Sequence, residues 1–244
     1  MSEILKTEAI VLKKIEFGET SRIAHFYTKD LGRISGIIKG AKSPKSKFGK
    51  SVDILNHLNL VLYNKNTREI QLISDIELIN HFRKTKDNYE KLKYALAVIE
   101  LVSALTVEHD PNKRLFDGTT KILKLIEDGF EEEAVLFLRY MLFFIKEIGY
   151  EFQLEVCSIC NRKVLEGENI SYIYDQGIVC GECRHDRIAN VELNSELFNF
   201  LLCLSQKKNV PNISQKDISR LINILERFLI SNVKEFKGLN SLKM

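Results

Sequence analysis

Four cysteines carry the most specific chemistry in this chain of 244 residues. Cys157-Ser158-Ile159-Cys160 and Cys180-Gly181-Glu182-Cys183 are two Cys-x-x-Cys pairs with 19 residues between them, the spacing of a zinc ribbon. A two-residue gap lets both thiolates of a pair reach one ion at about 2.3 Å, and two such pairs complete a tetrahedron. Four thiolates leave no open coordination position, so a single Zn2+ bound by Cys157, Cys160, Cys180 and Cys183 is structural and cannot activate water. Thiols that merely pack have no need of this spacing. A thioredoxin-like redox pair would need a strand–helix setting that this segment lacks, and would not need a second pair. His185, two residues beyond Cys183, is either a substitute ligand or a surface residue, and Cys203, between Leu202 and Leu204, reads as a core thiol.

The second concentration of chemistry is basic. Between Arg33 and Asp53 there is no acid, and Lys39, Lys42, Lys45, Lys47 and Lys50 all fall there, among glycines and serines. Small residues let a backbone approach phosphate closely, and lysines neutralise it without reading sequence. With four or five phosphates neutralised, the salt slope on a single strand would be roughly −3. Arg22 and Arg33, beside the same strands, are further candidates. The loop ends in Gly49-Lys50-Ser51, like a phosphate-binding loop, but Pro44 stands where the first glycine belongs and offers no N–H, and a strand rather than a helix follows. No nucleophile elbow, His-Glu-x-x-His helix or two-metal acid cluster is present, so no catalytic residue is expected and the protein reads as a non-enzyme.

The elements that must position these groups change character along the chain. Residues 1–80 hold five β-type runs, Thr7–Lys13, Arg22–Thr28, Arg33–Lys39, Leu55–Tyr63 and Glu69–Ile79, separated by turn formers. Leu58, Leu60 and Leu62 alternate with Asn59, Val61 and Tyr63, the period of a strand with one buried face. Five short strands suit a closed OB-type barrel, with an SH3-like barrel fitting the count nearly as well. Residues 81–155 turn helical: one helix through Tyr89–Val102, one started by Asp110-Pro111, and one from Glu131 to Ile148 that is apolar nearly all round over Val135–Ile145 and stops at Gly149. Residues 156–190 form the ribbon, with a hairpin turning at Asp175-Gln176-Gly177, and 191–244 hold two helices opening near Asn194 and at Ser214 that are expected to pack on the helical domain. The fold class is therefore α+β multidomain: an N-terminal five-stranded OB-type β-barrel, then an α-helical body with an inserted zinc ribbon.

The net charge of +3 is too small to mark a nucleic-acid binder by itself; its distribution does that, with 13 Lys/Arg against 9 Asp/Glu in residues 1–80 and 11 against 14 in residues 81–155. No apolar run reaches the roughly 20 residues of a membrane span, and the N-terminus lacks a secretory pattern, so a cytoplasmic protein with reduced thiols is expected.

These residues together resemble the RecO family of bacterial recombination mediators. The resemblance rests on the order and spacing of Glu8-Ala9-Ile10-Val11-Leu12, Gly18-Glu19-Thr20-Ser21-Arg22, Lys39-Gly40-Ala41-Lys42-Ser43-Pro44-Lys45-Ser46, Leu115-Phe116-Asp117 and Ile148-Gly149-Tyr150 with the ribbon, and covers most of the chain. It implies an OB barrel, a helical body with a zinc ribbon, and binding to single- and double-stranded DNA. It also implies strand annealing without ATP, partnership with RecR and with the acidic C-terminal tail of single-strand-binding protein, and a place at the bacterial nucleoid. The family often has proline where this chain has Phe152 and glycine where it has Asn161; asparagine tolerates the left-handed backbone a knuckle needs.

The competing reading from barrel and ribbon alone is an RNA binder of translation or ribosome assembly. Within the apolar helix, Arg139 is costly unless paired or opening on a groove. It is either an internal ion pair or a receptor for the terminal carboxylate of an acidic, apolar tail, with Lys113 and Arg114 adding steering charge.

Overall fold

The structure is a computed structural model that describes residues 3–43, 46, 48–49, 51–65, 67–184, 188–206, 208–209 and 211–243. The chain packs as two units, Met1–Glu133 with Leu239–Met244, and Ala134–Gly238.

In the first unit β1 (Glu3–Phe17), β2 (Ser21–Thr28), β3 (Gly32–Ile38), β4 (His57–Asn64) and β5 (Ile70–Asn80) close a barrel in the order β1-β2-β3-β5-β4. Neighbours are antiparallel except β3 and β5, which run parallel. That is the OB arrangement, and it removes the SH3-like alternative. One strand serves two neighbours: β1 pairs with β4 through Glu3–Ile10 and with β2 through Ala9–Phe17, bending at a register shift between Val11 and Lys13. Leu58, Leu60 and Leu62 point inward with Val11, Phe26 and Ile34, as their alternation requires.

Gly32 makes the β2–β3 turn possible. Its φ is +67°, and a Cβ there would lie 2.5 Å from the Asp110 carbonyl oxygen. Gly32→Ala is therefore expected to cost about 2–4 kcal/mol, from left-handed strain plus overpacking. An unchanged denaturation midpoint would contradict this.

The helices of this unit are α1 (Arg83–Lys86), α2 (Tyr89–Leu105) and α3 (Lys113–Asp128). The expected start of α3 at Asp110-Pro111 is corrected: Asn112 is the cap, its extended backbone (φ −124°) letting its side-chain oxygen accept from the Leu115 N–H at 2.9 Å. Pro111 lies before the helix. Phe116 of α3 covers part of the barrel's outer face, its ring centroid 5.8 Å from Tyr27 and 6.0 Å from His57. The Glu100 carboxylate on α2 accepts four hydrogen bonds from the backbone and side chains of Asn240 and Ser241, returning the C-terminal segment to this unit.

The second unit holds α4 (Glu133–Glu147, all but its first residue), which is buried on most sides, as its composition predicts. Gly149, at φ +89°, follows its end. Then come β6 (Ile170–Ile173), β7 (Gly177–Cys180), the one-turn α5 (Gly181–Arg184) and β8 (Val191–Leu193). The expected hairpin is β6–β7; β8, not foreseen, adds a third strand on the other edge of β6. α6 (Ser195–Ser205) and α7 (Gln215–Asn232) close the unit, capped by Asn194 and Ser214 as expected. Phe152 stacks on Tyr172 at 4.3 Å and meets Phe228 edge-on at 5.1 Å, so it anchors an aromatic core. Cys203 on α6 is half-buried rather than sealed in the core. Among the described residues no helix is long and apolar enough to cross a membrane.

Candidate metal centre and nucleic-acid interface

The two cysteine pairs converge. Cys157 and Cys160 sit on a tight loop closed by hydrogen bonds from the Asn161 N–H to the Cys157 carbonyl and from the Cys157 N–H to the Arg162 carbonyl, both 2.9 Å. This reversal needs Asn161 at φ +57°, the left-handed conformation that asparagine accepts more readily than most residues. Ser158 ties the loop to β7 through its N–H and hydroxyl, both donated to the Ile178 carbonyl. Cys180 ends β7 and Cys183 lies on α5, so a strand end and one helical turn present the second pair.

The four sulfurs lie within 4.8 Å of one another, with Cys160 and Cys180 Sγ 3.9 Å apart. In a tetrahedron with bonds of about 2.3 Å the sulfurs stand about 3.8 Å apart, so the arrangement fits one ion held by four thiolates. It does not fit a disulfide, which needs about 2.05 Å. The electrostatics point the same way. Burial opposes ionisation of Cys157, but the N–H groups of Cys180, Cys160 and Ile159 outweigh it and bring its thiol down to about 6. Cys183 is pushed up to about 12, by its hydrogen bond to Cys160, by burial, and by Cys180 and Cys157. Four thiols so close cannot all ionise unless a cation holds them together. His185 lies outside the described residues.

Of the basic candidates, three gather at one end of the barrel. Arg22 of β2 pairs across to Ile38 at the end of β3, and Lys39 follows it, exposed. Arg22 is fastened, donating to Glu16 at 3.0 and 2.9 Å and to the Gly49 carbonyl at 2.9 Å. Lys42 donates its N–H to Thr20 and its ammonium to the Gly18 carbonyl, 3.2 Å, while Glu16 Oε2 lies 3.6 Å from that ammonium. Held by Arg22 and Lys42, the Glu16 carboxyl stays below the usual carboxylate range. Both ends of the lysine loop are thus pinned to the β1–β2 turn, and Phe48 packs into the barrel core. Lys45, Lys47 and Lys50 lie outside the described residues. Phe17, half-exposed at the same turn, was not among the sequence candidates; only its place before Gly18 could have marked it.

Arg33 is placed elsewhere. It lies at the opposite end of β3, paired with Tyr27, and its guanidinium donates to the Ser103 carbonyl of α2 with Glu108 4.0 Å away. It serves the barrel–helix junction. Lys113 is exposed and paired with Asp30 at 2.9 Å, and Arg114 is exposed beside it. Arg139, half-buried on α4 between buried Leu138 and Tyr140, makes an interaction within the protein and belongs to the second unit, whereas Lys113 and Arg114 belong to the first.

A five-stranded OB barrel with a basic loop at one end, joined to a helical body carrying a four-cysteine cluster, defines a two-unit class of protein. Within it, the family descriptions "Recombination protein O N terminal" and "Recombination protein O C terminal" match residues 1–82 and 86–241, and the chain belongs to the recombination protein O family. It is 29% identical over 227 residues to the "DNA repair protein RecO" of Caldanaerobacter subterraneus subsp. tengcongensis, covering 89% of this chain and 90% of that one. The protein of the same name from Rhodopirellula baltica is 31% identical over 205 residues, 83% of this chain and 76% of that one. That from Chloroherpeton thalassium is 31% identical over 163 residues, 67% of this chain and 63% of that one.

Proposed function

We propose that this protein is a non-enzymatic DNA-binding mediator of recombinational repair, cytoplasmic and associated with the bacterial nucleoid. In this reading it anneals complementary single strands and helps load recombinase onto DNA coated with single-strand-binding protein. The observation that carries the reading is the acid-free lysine loop pinned to one end of an OB barrel, in a chain whose relatives are named for DNA repair. Lys39 and Lys42, with Lys45, Lys47 and Lys50, neutralise phosphate; Arg22 shapes the loop through Gly49 and adds charge beside it. Phe17 offers a ring on which a base can stack.

One Zn2+ held by Cys157, Cys160, Cys180 and Cys183 stabilises the ribbon and supplies no chemical step. RecR and the C-terminal tail of single-strand-binding protein are the proposed partners. Arg139 is the proposed receptor of the tail's carboxylate, by its two parallel donors, with Lys113 and Arg114 contributing steering charge.

Annealing needs no nucleotide, because base pairing supplies the driving energy once phosphate repulsion between strands is screened. Complementary strands precoated with single-strand-binding protein are expected to pair several-fold faster with this protein than without it, in buffer free of nucleoside triphosphate. A strict ATP requirement, or a preference for structured RNA over single-stranded DNA, would overturn the reading; the second outcome selects the translation-type alternative.

A further inference from the structure

We propose that the free edge of β5, residues 74–79, accepts an extended segment of a partner protein as an added strand, one in which apolar and basic residues alternate. β5 is paired on both edges only at its start. Ile70, Gln71 and Leu72 lie beside Ser35, Gly36 and Ile37 of β3, and from there to the Asn80–His57 pair the strand has β4 alone. Among the described residues no loop or helix backbone bonds to residues 73–80 either. Alternate N–H and C=O groups of a strand point to each side, so this stretch offers donors and acceptors at fixed spacing with no strand to receive them.

The side chains along the edge define what the added strand carries. Leu78 opposes Leu58, which is sealed in the barrel core, so Leu78 points to the core side of the sheet. It is nonetheless 43% exposed, because no strand flanks β5 there, and Ile79 beside it is 45% exposed. On the outer face Asp75 and Glu77 oppose Val61 and Asn59, both acids exposed, with Glu77 accepting from Asn59 Nδ2 at 3.1 Å. Successive side chains of a strand alternate between faces. A strand laid along this edge therefore sets apolar groups over Leu78 and lysine or arginine beside Asp75 and Glu77.

Charge selects the occupant. Antiparallel pairing with a second copy would bring Asp75 and Glu77 against the same carboxylates, which is unfavourable, and nucleic acid is repelled for the same reason. The bulge between Ile73 and Asp75 and the two acids are the devices that shield an edge from chance pairing. A partner that enters has to answer them, and basic residues do. The competing reading is an edge that is shielded and only solvated, which binds no strand at all.

The experiment uses fluorescein-labelled peptides of about eight residues, the length of an ordinary strand, with anisotropy measured against the full-length protein. The probes are alternating valine–lysine, alternating valine–glutamate, and two valine–lysine peptides N-methylated on the valines or on the lysines. Valine–lysine is expected to bind at least about tenfold more tightly than valine–glutamate, as two opposite-charge pairs replace two like-charge contacts. The Asp75→Lys, Glu77→Lys double variant, with folding checked by thermal unfolding, should reverse that preference. N-methylation of at least one set of amides should abolish binding, because it removes donors from the ladder. Should the double variant fail to fold, slowed hydrogen exchange at residues 74–79 of wild type with the valine–lysine peptide decides in its place. Absence of binding, an unreversed preference, or binding indifferent to both N-methylations overturns the proposal. So does dimerisation of the full-length protein that Leu78→Lys removes, which would assign the edge to a second copy.

Discussion

Purified full-length protein is expected to carry one zinc ion per chain, and a Cys157→Ser, Cys180→Ser double variant none. Both residues are completely buried, and both belong to the cluster whose sulfurs lie within 4.8 Å. The sheet around them is small: β6 and β7 have four residues each and β8 three, too little paired backbone to stand without a staple. Zinc binding to four cysteines contributes on the order of 10–16 kcal/mol of apparent folding free energy at neutral pH, comparable with the whole stability of an ordinary domain. Even a net loss of about 4 kcal/mol lowers the melting temperature by roughly 8–16 °C in a protein of this size. The double variant is therefore expected to melt at least about 8 °C lower and to be cut by protease between residues 160 and 185, where wild type resists. Chelation of wild type should reproduce both effects, and re-addition of Zn2+ should reverse them. Wild-type protein with no zinc and four titratable thiols, or a double variant melting as wild type does, would refute the structural-zinc reading.

How much of this could be read from residues alone depends on whether the deciding interaction is local. The five strands were legible because turn formers bracket each run and Leu58, Leu60 and Leu62 alternate with more exposed neighbours. The caps at Asn194 and Ser214 and the stop at Gly149 were legible because each works within a few residues. The cysteine cluster was legible because two short gaps suffice to bring ligand pairs together. The parallel pairing of β3 with β5 was not, since about thirty intervening residues carry no record of it; only the closed barrel distinguishes OB from SH3-like order. β8 escaped because Val191-Glu192-Leu193 has too few residues to show a period. Asp110 reads as a cap from its place before Pro111, and Asn112 drew no notice; the backbone geometry makes Asn112 the cap. Arg33 and Arg22 looked alike as basic residues beside strands, yet opposite ends of the barrel give them different partners. Arg162 drew no notice because its two-oxygen pairing with Glu168, six residues on, follows no helix or strand period and forms only once that loop is folded.

Replacing Lys39, Lys42, Lys45 and Lys47 together with alanine is expected to flatten the salt dependence of single-stranded DNA binding, lowering the magnitude of the slope by about 3. Each phosphate neutralised on a single strand contributes roughly 0.7 to that slope through released counterions, and four lysines act together. In 0.1 M salt the same arithmetic gives an affinity loss of about two to three orders of magnitude, alike for all sequences because lysine reads charge and not base edges. The structure supplies the controls. Lys42 also holds the Gly18 carbonyl, so Lys42→Ala alone should cost more than one phosphate contact by loosening the β1–β2 turn. Arg22→Ala should act mainly through the loop, because its guanidinium binds the Gly49 carbonyl and Glu16. Arg33→Ala should leave the slope unchanged and lower stability instead, because that side chain is committed to Ser103 at the far end of β3. Salt titrations of fluorescently labelled single strands, run with folding checked by thermal unfolding, measure all of these at once. A quadruple variant with wild-type slope and affinity would move the DNA-binding face away from this end of the barrel. A slope lost equally on Arg33→Ala would show that charge anywhere on the barrel suffices and that the pinned loop has no special part in binding.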